Sequence, residues 1–64
     1  MSMEELYIRN IENGIRGIRL GTKTPADANV GSPLNKLKSL NPGMHEDLMT
    51  KYKNVLAEYE KKVK

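Results

Sequence analysis

Apolar residues recur along this chain at helical spacing. In residues 3–20, Ile8, Ile11, Ile15 and Ile18 follow at intervals of three, four and three, which stacks them on one side of a helix, with Tyr7 beside them. The opposite side carries Glu5, Arg9, Glu12 and Arg16, two i,i+4 pairs in the favourable order that describe a solvated face. In residues 42–63, Met44, Leu48, Tyr52, Val55, Tyr59 and Val63 share one face, widened by Met49 and Leu56. Glu46 and Asp47 near its start and Lys61, Lys62 and Lys64 at its end match the helix dipole. Between these segments, residues 33–40 predict a short helix with Leu34, Leu37 and Leu40 turned inward.

The helix starts are marked by proline. Thr24-Pro25, Ser32-Pro33 and Asn41-Pro42 each place a capping residue before a proline, whose missing N–H is no loss in the first turn. Ser2-Met3-Glu4-Glu5 has the form of a capping box, and Thr24-Pro25-Ala26-Asp27 is a similar arrangement with Asp. Residues 21–32 are polar and Gly-bearing, and twelve structureless residues would be long for so small a domain. A helical turn over about 25–30, ended by Gly31, is the expectation. The fold class is therefore all-α, in one domain over residues 1–64. Two long antiparallel helices, about 3–20 and 42–63, are expected to flank a connector with short helical pieces at about 25–30 and 33–40, folded across one end.

Gly14, Gly17 and Gly21 form a separate stripe on the first helix. An interior glycine costs about 1 kcal/mol against alanine, so Gly14 and Gly17 need a reason, whereas Gly21 suits a C-terminal cap. One reading is close approach by another backbone or a ligand; the other is a break or kink at Asn13-Gly14, a turn-forming dipeptide.

Size sharpens the question of partners. A chain of 64 residues buries only about 60% of its unfolded surface, and disulfides, a metal or association are the usual supplements. There is no cysteine and a single histidine, His45, so no disulfide, metal site or cofactor is expected within one chain. Association remains, either with a second copy or with a larger protein. The candidate interface residues are Ile8, Ile11, Gly14, Ile15, Gly17, Ile18, Tyr52 and Tyr59; tyrosine is enriched where proteins meet.

The net charge of +3, from eleven basic and eight acidic residues, is spread evenly and permits an anionic partner without demanding one. No apolar run approaches the roughly 20 residues that span a bilayer, and the acidic Met1-Ser2-Met3-Glu4-Glu5 is unlike a secretory signal. A cytoplasmic location is the expectation.

No nucleophile–base pair, carboxylate pair in a cleft or metal cluster is legible, so an enzyme is not expected. Two of the three serines fall at helix starts, as do the acid pairs Glu4/Glu5 and Glu46/Asp47. The candidate ligand site is Arg16, Arg19, Thr22, Lys23 and Thr24, two guanidinium groups, an ammonium and two hydroxyls leading into a helix start that could hold phosphate. Residues 33–40 followed by a turn and the last helix imitate a helix-turn-helix, but Glu46 and Asp47 would repel DNA phosphates. A looser nucleic-acid contact by Arg9, Arg16 and Arg19 is a minor alternative. The leading expectation is a self-associating, non-enzymatic binding protein, an intracellular adaptor or inhibitor of a larger protein, of the kind common among viral and mobile-element accessory proteins. An oligomer that sequesters a phosphate-bearing molecule such as a nucleotide is the alternative.

Overall fold

The computed structural model describes residues 2–63, Val63 through its backbone alone. The expected contribution of the Val63 side chain to the apolar face and of Lys64 to the terminal charge cluster lies outside the described residues. Four helices follow one another: α1 (Met3–Leu20), α2 (Pro25–Ala28), α3 (Gly31–Leu40) and α4 (Pro42–Val63). The protein is all-α, and α1, α3 and α4 pack against one another.

The capping logic holds at three of the four starts. Ser2 Oγ accepts from the Glu5 N–H at 3.2 Å, Thr24 Oγ1 from the Asp27 N–H at 3.2 Å and Asn41 Oδ1 from the Met44 N–H at 3.1 Å. Past the end of α1, Gly21 adopts the left-handed conformation with φ 80°. Its N–H reaches the Ile18 carbonyl at 3.2 Å, while the Thr22 N–H reaches Gly17 at 2.9 Å. This closure satisfies carbonyls that would otherwise be orphaned. Between its two caps α1 is helical throughout, with no break at Asn13-Gly14.

Ser32-Pro33 is the exception. The helix starts two residues earlier than expected, at Gly31, with Val30 as a cap residue that supplies no side-chain bond. Pro33 then occupies the third helical position, whose N–H also lacks an intrahelical partner. The turn over 25–30 is correspondingly shorter. Asn29, not Gly31, ends α2 with φ 48°, a conformation asparagine tolerates better than most side chains. Replacing Asn41 with alanine should therefore cost about 1 kcal/mol, whereas Ser32→Ala should stay within about 0.5 kcal/mol. Urea unfolding of the two variants checks the assignment.

The directions of the helices also differ from expectation. Gly14 of α1 meets Val30 just before α3, while the Tyr7 ring, one end of α1 away, meets Lys36 further along. Hence α3 runs opposite to α1. It runs opposite to α4 as well, since a single residue, Asn41, separates them and Met49 and Tyr52 line the same groove as Gly31 and Leu34. The two long helices, expected to be antiparallel, therefore point the same way. Lys62 Nζ donates to the Arg19 carbonyl at 3.4 Å, bringing their C-terminal ends together. The reason is that α3 forms a full return leg along the bundle, where a connector folded across one end was expected.

The core consists of Ile11, Ile15 and Ile18 from α1, Val30, Leu34 and Leu37 from the middle, and Leu48 and Val55 from α4. Ile8, Met44, Met49, Tyr52 and Tyr59 pack against its margin. Leu40, expected inside, is 52% exposed. Each i,i+3 step rotates a side chain backward by about 60°, so the third leucine of the series has left the buried face. Val30 does the reverse: it lies in the polar connector yet is 1% exposed.

Candidate functional site

The described interior is wholly apolar: no polar or charged residue is buried, and no buried side-chain nitrogen or oxygen lacks a partner. Any partner or ligand contact made by the described residues would therefore fall on the surface and in the grooves between helices. Among them, no group of three or more His, Cys, Asp or Glu side chains is placed to hold a metal ion. Among the described residues no helix is long and apolar enough to cross a membrane.

The expected anion cluster is divided. Thr22 Oγ1 donates to the Gly17 carbonyl at 3.2 Å, and the Thr24 hydroxyl is taken up as the α2 cap. Lys23 lays its aliphatic stem along Gly17, where an added Cβ would lie 2.8 Å from its Cδ. Arg16 and Arg19 line a different groove, with Glu12, Ile15 and Lys51. The cause is rotation: Gly17 follows Arg16 by about 100° around α1, so neighbours in sequence face different sides.

The expected interface is largely consumed within the chain. Ile11, Ile15 and Ile18 are core residues. A Cβ on Gly14 would lie 2.5 Å from Val30 Cγ2 and 3.3 Å from Ala28 Cβ. Gly14 and Gly17 are buried beneath the chain's own connector, so the close approach comes from within the molecule and these glycines offer no surface to another copy. Of the eight candidates, Ile8, Tyr52 and Tyr59 remain partly accessible.

Two grooves flank α3. One lies between α1, the connector and α3, encloses about 410 Å³ and is lined by Asn10, Asn13, Lys23, Asn29, Ser32 and Lys36, with Tyr7 at one side. The other lies between α3 and α4, with Leu34, Met49 and Tyr52 meeting Asn35, Lys38 and His45. Neither lining contains a carboxylate. This follows from the sequence of the middle segment, where no Asp or Glu occurs between Asp27 and Glu46. Lys36, Lys38 and the four asparagines were not identifiable beforehand as site residues. They belong to different elements, and only the packing brings them together.

Comparison with known proteins supplies no relative: no family model, curated protein or solved structure matches the chain.

Proposed function

We propose that this chain is a non-enzymatic binding protein that acts by occupying a surface of a larger protein, and that the α3–α4 groove is its docking face. The observation that supports this reading is the composition of that groove. Its apolar part combines Met49 and Tyr52, both partly accessible, with the buried Leu34, and its rim carries Lys38 and His45 with no opposing carboxylate. Methionine adapts its shape to a partner, and tyrosine offers contact area at modest entropic cost. The complementary occupant is an amphipathic segment of the larger protein that sets acidic side chains beside an apolar anchor.

Affinity purification of the full chain from its native host, followed by reconstitution with the recovered protein, tests the reading. A stoichiometric partner should lose at least tenfold in affinity on Met49→Glu or Lys38→Glu and remain unaffected by Arg9→Glu on the far side of α1. A partner indifferent to both groove substitutions overturns the assignment. A doubled solution mass that Met49→Glu abolishes would instead make a second copy the occupant and overturn the choice of a larger protein.

A further inference from the structure

The groove on the other flank of α3 has chemistry that the docking reading does not use. Its two lysines come from separate elements, and the packing of the connector and α3 on α1 brings both to one groove. The stem of Lys23 passes alongside Gly17 and brings its ammonium to the groove. Lys36 Nζ stands 5.9 Å from the centroid of the Tyr7 ring, within the range of a cation–π contact. Around these two charges are the carboxamides of Asn10, Asn13 and Asn29 and the Ser32 hydroxyl. Among the described residues none of these four side chains takes part in an internal hydrogen bond.

We propose that this groove binds a small phosphate ester, drawn in by the ammonium groups of Lys23 and Lys36. Two ammonium groups match the charge of about −1.5 to −2 that a phosphate monoester carries at neutral pH, whereas a single carboxylate would leave one lysine unmatched. The free amides and hydroxyl suit the remaining phosphoryl oxygens and the hydroxyls of an attached sugar. The groove volume of about 410 Å³ falls within the range of small-ligand sites, roughly 300–1,000 Å³. Absence of any carboxylate from the lining removes the repulsion that Glu12 introduces beside Arg16 and Arg19 on the other side of α1.

Titration calorimetry on the full chain at low salt, with AMP, inorganic phosphate and adenosine as probes, tests the proposal. AMP should bind and adenosine should not. Lys23→Ala and Lys36→Ala should each weaken AMP at least tenfold, and the double variant should show no binding. The Arg16→Ala, Arg19→Ala pair removes the same charge from a different groove and should leave affinity within twofold. All these positions are exposed, and circular dichroism verifies that each variant keeps its helices. Equal binding of adenosine, an equal loss in the arginine pair, or no heat with AMP or phosphate at millimolar concentration would each overturn the proposal.

Discussion

Gly14→Ala should destabilise the protein, while Gly17→Ala, three residues along the same helix, should leave it unchanged or slightly more stable. Helix propensity alone favours both substitutions by about 1 kcal/mol. The difference lies in what the new methyl group meets. At Gly14 it would lie 2.5 Å from Val30 Cγ2, on a side chain only 1% exposed, and 3.3 Å from the Ala28 Cβ. Neither neighbour can move without shifting the connector, and overpacking of this kind costs about 1–3 kcal/mol. At Gly17 the nearest atoms belong to the flexible stem of Lys23, which can swing aside. Thermal or urea unfolding should therefore separate the two variants by about 1–3 kcal/mol. Adding Val30→Ala to each extends the test. It should recover part of the loss in Gly14→Ala and only add its own cost in Gly17→Ala, a coupling that a double-mutant cycle reads directly. Equal effects of the two glycine substitutions would contradict the close packing of the connector on α1.

The largest single loss of stability is expected at Leu37. It is fully buried in the core cluster, and truncating such a leucine to alanine costs about 2–5 kcal/mol. For a domain this small, whose total stability is expected near 5 kcal/mol, Leu37→Ala should populate the unfolded state visibly at room temperature. Leu40→Ala should change stability by no more than about 0.5 kcal/mol, since Leu40 is 52% exposed. Circular dichroism with urea titration distinguishes the outcomes, and comparable losses at both leucines would refute the burial pattern.

These two pairs also show where the sequence was legible. Caps at Ser2, Thr24 and Asn41 could be read because each acts on backbone groups within three residues of itself. Ser32 carried the same local signal and does not cap, because burial of Val30 against α1 starts the following helix early. That contact spans the connector and leaves no trace in local periodicity. The isoleucine spacing identified the buried side of α1 correctly but not what covers it. The glycine stripe likewise indicated a close approach without saying whether it came from inside or outside. Site chemistry suffered most from this limit. Proximity in sequence grouped Lys23 with Arg16 and Arg19, whereas the fold separates them and places Lys23 in the same groove as Lys36.

The return leg formed by α3 has a practical consequence for engineering. With three legs rather than two, the chain enters the bundle at one end and leaves it at the other, and the molecule is 37 Å long. A linker joining finish to start in a circular permutant would need about eleven extended residues merely to cover that length. Copies fused head to tail need no such detour and would string out as beads, each presenting α3 and its two flanking grooves to the side.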